Sequence, residues 1–336
     1  MLNQRHSLFS FARRQCCLAA LGLAALTLSA AASANDRDDY PNRPVTVLVP
    51  YAPGGQGDVF ARLLSEPLAR RLGKAVVVDN RPGASGALGA RLLAQAPADG
   101  YTLMLGQTGE VAINGFTMKK PGYDAVKDFR PVALVGNSPL VLVAPASAPF
   151  NTMEELIRYA KDNPGQVAYA SSGTGTPGHL AAAALAMHTG TEMIHVPYRG
   201  AGQAINDVIG AQVHIFFSSA SAILPHVKGG RIKAIAVGSK ERLATLPDVP
   251  AVAETVPGFD FTLWGGYFAP RQTPEAVVQR LNQEINDILQ TPDIRQRFID
   301  EGSAVEPLST QAFEAYVQQE ATKYRVLIET TGIQVE

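Results

Sequence analysis

From residue 44 onward the chain alternates between short β-branched runs and longer stretches with helical spacing. Residues 45–50, beginning VTVLV, are apolar enough for a buried strand. The strand breaks at Gly54 and Gly55. An amphipathic run then starts from Asp58, which stands where a helix N-cap belongs, and continues through Leu72 to a stop at Gly73. Strand 75–79, helix 86–96 and strand 101–106 continue the pattern. Such alternation predicts an α/β fold with parallel strands, helices on both faces, and binding loops at the carboxyl ends of the strands.

A long apolar passage follows at 131–135 and 140–143, divided by Gly136-Asn137-Ser138-Pro139, and is long enough to run from one lobe to a second. Asn151 and Glu154 have capping-box spacing and open a helix to about Asp162. The strand at 167–171 then enters a glycine-rich turn and a helix start, followed by strand 193–198, helix 203–210 and strand 213–218. The apolar run 232–237 brings the chain back to the first lobe, which helices near 274–289, 294–301 and 310–329 complete.

Two of the strand-to-helix junctions carry candidate chemistry. A strand that feeds a glycine loop and a helix start leaves backbone N–H groups unpaired above the sheet edge, and such a place holds anions. The first junction is at Gly54-Gly55. In the second, Ser171, Ser172, Thr174 and Thr176 add hydroxyls to the exposed amides, and Pro177 suits the first helical turn because it has no N–H to lose there. Two uncharged cradles predict a ligand gripped from two sides. A third junction, residues 80–86, reads as tight packing of a helix on the sheet with Arg81 in an internal salt bridge. Gln107 follows a strand end and faces the cleft. Glu110 reads as solvated surface, since a carboxylate there would repel an anion unless it met an ammonium group.

Composition adds an address and removes several functions. Arg5, Arg13 and Arg14 precede the apolar run 16–32, and Ala32-Ser33-Ala34 reads as a cleavage site, so residues 1–34 form a signal peptide and the mature chain is periplasmic. Both cysteines, Cys16 and Cys17, fall in the leader, which leaves the mature chain no disulfide, cysteine nucleophile or thiolate ligand. Loss of three arginines and no acids, from 29 basic and 30 acidic residues, leaves a net charge near −4, which does not attract nucleic acid or an anionic membrane. The chain is 46% hydrophobic overall, and the roughly 300 residues that remain suffice for two cored lobes. Gly173-Thr-Gly-Thr-Pro-Gly178 matches a dinucleotide fingerprint, but the acid it needs about 20 residues on is missing, because Glu192 precedes the next strand. No GxSxG elbow is present, and the histidines lack metal-ligand spacing. No cofactor, metal or catalytic residue is therefore expected.

At several points the chain carries a longer resemblance. Val49-Pro-Tyr-Ala-Pro-Gly-Gly-Gln-Gly-Asp58, Asn80-Arg-Pro-Gly-Ala84, Asp99-Gly-Tyr-Thr102, Asp128-Phe-Arg-Pro-Val132, Ser172-Gly-Thr-Gly-Thr176 with His179, and His195-Val-Pro-Tyr-Arg-Gly200 resemble the Bug-type solute receptors of tripartite tricarboxylate transporters. The resemblance runs on through Leu246-Pro-Asp-Val-Pro250 and Trp264-Gly265 and covers essentially the whole mature chain. It implies a two-lobed periplasmic binding protein of type II, the Venus-flytrap class, with a central parallel or mixed sheet in each lobe. The expected lobes are residues 35–138 with 240–336, and residues 139–239. They close, by a hinge near 136–140 and 237–241, on a small organic carboxylate: a di- or tricarboxylate, an acidic amino acid or an aromatic acid.

The implied grip is by amides, hydroxyls and water rather than by an arginine. It maps onto Tyr51, Pro53, Gly54, Gly55, Gln56, Gly57 and Asp58 on one side and Ser171, Ser172, Thr174 and Thr176 on the other, with Tyr198 as a wall. Gln107 and His179 complete the candidate set. Gly57 departs from the family, which commonly has Thr or Ser there. The implied partners are permease subunits, with the receptor itself monomeric. A periplasmic enzyme acting on a carboxylate, and a sensor feeding a kinase, stay open as alternatives.

Overall fold

The computed structural model describes residues 40–331, so the leader and both cysteines lie outside the described residues. The compact unit considered below begins at Arg43, and residues 40–42 belong to a separate N-terminal unit.

Strand β1 (Val45–Val49) leads into helix α1 (Gln56–Leu72), which buries Phe60, Ala61, Leu64, Leu68 and Leu72 on one face and ends at Gly73 in the left-handed conformation. The cap lies three residues earlier than the sequence suggests: Gly55 is the N-cap, and Asp58 sits inside the first turn. Strand β2 (Val76–Asn80), helix α2 (Ala87–Ala94) and strand β3 (Thr102–Gln107) follow, then a π-turn over Gly109–Ile113 and two one-turn helices, α3 (Asn114–Thr117) and α4 (Ala125–Asp128). Arg81 pairs with Asp79 at 2.9 Å on the surface, not in the interior, whereas the expected tight packing is present: a Cβ at Gly89 would lie 2.9 Å from Pro50.

The passage expected as two apolar runs is a single 17-residue strand, β4 (Phe129–Pro145). It is followed by α5 (Met153–Asp162), β5 (Val167–Ser171), α6 (Pro177–Thr189), β6 (Met193–Pro197), α7 (Ala201–Ile209), β7 (Ile215–Ser219), α8 (Ala220–Lys228) and β8 (Ile232–Val237). The cap of α5 is Thr152 rather than Asn151. Its hydroxyl accepts the Glu155 N–H at 3.2 Å while the Glu155 carboxylate takes the Asn151 N–H at 2.6 Å, a capping box shifted by one residue. Strand β9 (Thr262–Pro270), helices α9 (Glu275–Gln290) and α10 (Pro292–Asp300), the short β10 (Ala304–Val305) and α11 (Thr310–Thr331) complete the chain.

Strand β4 joins all of this into one mixed sheet ordered β2-β1-β3-β9-β4-β7-β5-β6, with β8 and β10 also pairing on β4. It runs antiparallel to β9 as far as Pro139 and then to β7 from Leu140. Two sets of parallel strands, β2-β1-β3 and β7-β5-β6, thus flank an antiparallel centre. Trp264 is fully buried, with Phe313 edge-on at 6.1 Å and its indole N–H donating to Glu320 Oε2 at 3.0 Å.

Candidate functional site

Each parallel set contains a point where the chain reverses its direction across the sheet. From β1 the chain goes to β2 on one side and then to β3 on the other; from β5 it goes to β6 and then back past β5 to β7. Crevices open at the carboxyl ends of strands at such points, because the following helices diverge to opposite faces. Both crevices contribute to one partly open cleft. Tyr51, Gly55, Gln56 and Gln107 line it from β1 and β3, and Ser172, Thr176, Pro177, Gly178 and Phe217 to Ser219 from β5 and β7, with Leu140, Ala201 and Leu263 between. No Lys, Arg, His, Asp or Glu is among these lining residues.

Six of the fourteen candidate residues therefore meet in the cleft: Tyr51, Gly55, Gln56, Gln107, Ser172 and Thr176. On the β1 side a buried chain of polar groups fixes them. Gln56 donates through Nε2 to the Leu263 carbonyl and accepts at Oε1 from Gln107 Nε2 at 3.0 Å. The Gln107 backbone N–H donates to Glu110 Oε1 at 2.5 Å, and the Tyr51 hydroxyl lies 2.9 Å from Glu110 Oε2 and 3.2 Å from the Ser85 carbonyl. Gly57 serves this packing: a Cβ there would lie 2.9 Å from Gln107 Oε1, so a larger residue would have to displace the Gln107 amide.

Asp58 faces the loop and not the cleft. It accepts from Gly54 N–H and Arg62 Nε, each at 3.0 Å, and from Asn80 Nδ2 at 3.1 Å. Burial pushes its carboxyl up, but the bonds from Arg62, Gly54 and Asn80 outweigh that and hold it below the usual range. Pro53 and Gly54 lie on the outer side of the loop, in a surface groove with Gly202 and Gln203.

On the β5 side the loop binds itself. Ser171 Oγ accepts the Gly173 N–H at 3.2 Å and meets His195 Nε2 at 2.7 Å; Thr176 Oγ1 donates to the Gly173 carbonyl at 2.7 Å. His179 Nδ1 accepts the Gly175 N–H at 3.0 Å, and its ring stacks on His195 with centroids 3.9 Å apart. Burial lowers both imidazoles to about 4, with His195 adding to the effect at His179, so both are neutral near pH 7. Thr174 is outside the lining, as is Tyr198, whose hydroxyl donates to Asp207 at 2.6 Å.

Two features escaped the sequence. Phe217, Ser218 and Ser219 reach the cleft through a strand-to-helix junction with no glycine. Glu110 is not on the surface but 1% exposed, and burial raises its carboxyl from the usual 4.5 to about 7 against the bonds from Gln107 and Tyr51. The folded protein thus keeps this proton to higher pH than the unfolded chain. The group therefore costs stability as pH rises from about 4.5 to 7, by roughly 3 kcal/mol in all. Glu110→Gln is expected to remove that loss: its unfolding free energy relative to the native protein, measured in urea, should climb between pH 5 and pH 8. A difference that stays flat across that range would mean that Glu110 titrates normally.

The family model described as tripartite tricarboxylate transporter family receptor matches residues 60–333. Protein BugT of Bordetella pertussis is 33% identical over 321 residues, which are 95% of this chain and 98% of that protein. Among solved structures, R. palustris Rpa4515 with adipate is 33% identical with a TM-score of 0.86, covering 88% of this chain and 99% of that one. MatC from Rhodopseudomonas palustris with bound malate is 32% identical with a TM-score of 0.82, covering 86% of this chain and all of that one. A mixed sheet with a switch-point crevice on each side, and likeness along almost the whole length of these proteins, place the chain in one group: it belongs to the tripartite tricarboxylate transporter receptor family.

Proposed function

We propose that the protein is a periplasmic receptor that captures a small organic carboxylate in this cleft and delivers it to the permease subunits of a tripartite tricarboxylate-type transporter. One observation carries the reading. The N-termini of α1 and α6 meet at a single cleft that no charged side chain lines. Helix starts and oriented amides are the positive groups there, and they suit an anion whose charge is spread over carboxylate oxygens. The relatives solved with adipate and malate support the same class of ligand.

In this reading Gly55, Gln56, Ser172 and Thr176 touch the ligand, with Tyr51 and Gln107 as the wall behind them. Gly57, Asp58, Ser171 and His179 hold the two loops in shape, Pro53 and Gly54 seat the first loop on Gly202, and Thr174 and Tyr198 support the second. The lobes are residues 35–138 with 240–336 and residues 139–239. The change of partner along β4 at Pro139 and Leu140 supports a hinge there. So does Gly238, whose N–H reaches the Leu140 carbonyl at 2.6 Å while its own carbonyl takes the Phe261 N–H at 2.8 Å. The receptor acts as a monomer after removal of residues 1–34.

Thermal unfolding against a panel of small carboxylates and their amides tests the function. A true ligand at 100 times its Kd adds about 2.7 kcal/mol and raises the melting temperature visibly. Amides that stabilise as well as the acids, or a panel without effect, would remove the carboxylate reading.

A further inference from the structure

Glu110 is a buried acid that makes no ion pair among the described residues, and it stands one side chain behind the cleft. Its Oε1 accepts the Gln107 N–H and its Oε2 meets the Tyr51 hydroxyl, and Tyr51 and Gln107 both line the cleft. The elements packed around it bring no charge to balance it. Tyr123, from the loop before α4, donates its hydroxyl to the Glu110 carbonyl, while Arg91 of α2 is engaged farther out with the Pro121 carbonyl at 2.9 Å. At α4 itself Asp124 pairs with Lys127 at 2.8 Å, and Asp128 takes the Asp124 N–H at 2.7 Å. Helix α11 packs on the same π-turn, but its Glu320 lies 3.6 Å from Lys323, its Glu314 pairs with Arg271 at 2.7 Å, and Lys323, Arg325 and Glu329 are exposed.

The Tyr51 hydroxyl has one proton and two acceptors in reach, Glu110 Oε2 at 2.9 Å and the Ser85 carbonyl at 3.2 Å. With Glu110 ionised, only one of these contacts is a hydrogen bond. With a proton on Glu110 Oε2, the carboxyl donates to Tyr51, Tyr51 donates to Ser85, and both contacts are satisfied. The geometry thus holds a place for one proton directly behind the cleft wall. Burial, which raises this carboxyl to about 7, lets the proton exchange near neutral pH.

We propose that Glu110 takes up a proton when the receptor captures its carboxylate, so that anion and proton load together and affinity falls as pH rises. The proposal rests on the carboxylate reading above. An anion seated against Tyr51 and Gln107 places a second negative charge one layer of side chains away from Glu110, where burial leaves the repulsion weakly screened. The proton moves from the buffer to Glu110 Oε2 and relieves that repulsion. By reciprocity, the protonated receptor binds the anion more tightly than the ionised one. His179 and His195 do not contribute, because burial holds both at about 4.

Titration calorimetry of the protein purified from a periplasm tests the linkage, with malate or adipate as the probe, whichever raises the melting temperature more. At pH 7.5, in two buffers of different ionisation heat, the native protein is expected to take up roughly half a proton per anion bound. Its Kd is expected to rise about tenfold from pH 6.5 to pH 8.5, a range in which the acids themselves are already ionised. Glu110→Gln, which keeps the uncharged arrangement at every pH, should show neither effect. Equal heats in the two buffers from the native protein overturn the proposal, whether or not the variant folds. So does proton uptake that persists in a folded Glu110→Gln. An acid that binds without a proton removes the linkage alone and leaves the carboxylate reading standing; if no acid of the panel binds, both fall.

Discussion

Gly202→Val is expected to leave a folded protein whose affinity for its carboxylate is about 10- to 100-fold weaker. The first loop sits directly on the start of α7: Ala52 N–H reaches the Arg199 carbonyl at 3.2 Å, and a Cβ at Gly202 would lie 2.1 Å from the Pro53 carbonyl oxygen. Gly200, at φ +152°, is as tight, with its Cβ position 2.8 Å from Ala52 N. Backbone faces backbone here, so a side chain has no rotamer that escapes, and overpacking of this kind costs about 1–3 kcal/mol or more. Were the loop to lift off α7, the valine would lose its clash with Pro53, and valine is no worse a helix former than the glycine it replaces. The substitution therefore penalises the seated arrangement and little else. Each 1.4 kcal/mol is a factor of about ten in Kd, so titration calorimetry reads the effect directly, with circular dichroism confirming the fold. Native affinity in the valine variant would show that the ligand is held without this seam.

The largest effect on stability is expected at Trp264. Its ring is fully buried among Phe268, Phe313 and Tyr316, and truncation to alanine removes that contact and leaves a cavity, at a cost of about 3–5 kcal/mol. Glu320, 8% exposed, loses the indole N–H as well, and a buried acceptor left without its donor adds about 1–3 kcal/mol. Trp264→Phe keeps most of the ring packing but not the donor, so it should fall between the native protein and Trp264→Ala. Urea unfolding measures both. A loss below about 1 kcal/mol in the alanine variant would mean that the surrounding rings close over the site.

The cradles were legible because glycine and β-branched residues mark a strand's end and a helix's start without reference to anything distant. The same rule hid a third junction at the cleft. Phe217-Ser218-Ser219-Ala220 passes from strand to helix with neither glycine nor proline, and only the pairing of β7 with β5 brings it to the cleft. Glu110 was illegible for a related reason: its burial depends on Tyr51, which is 59 positions away in sequence. Strand β9 was missed because Gly265 and Gly266 look like a turn. In the structure the second glycine makes room, since a Cβ at Gly266 would lie 2.4 Å from the Phe313 ring. Asp58 reads as a cap because caps and first-turn acids share residue types, and local pattern alone does not separate the two positions, here three residues apart.

The uncharged walls of the cleft bear on how the receptor lets go. A site that grips an anion with lysine or arginine is left, on handing its cargo over, with a cation stripped of its partner in a partly dry pocket, and that residual charge pulls the cargo back. Here departure would uncover only neutral N–H and O–H groups, each of which a single water molecule caps. On the proposed reading, release therefore leaves no side-chain charge stranded in the cleft for a counter-ion to neutralise.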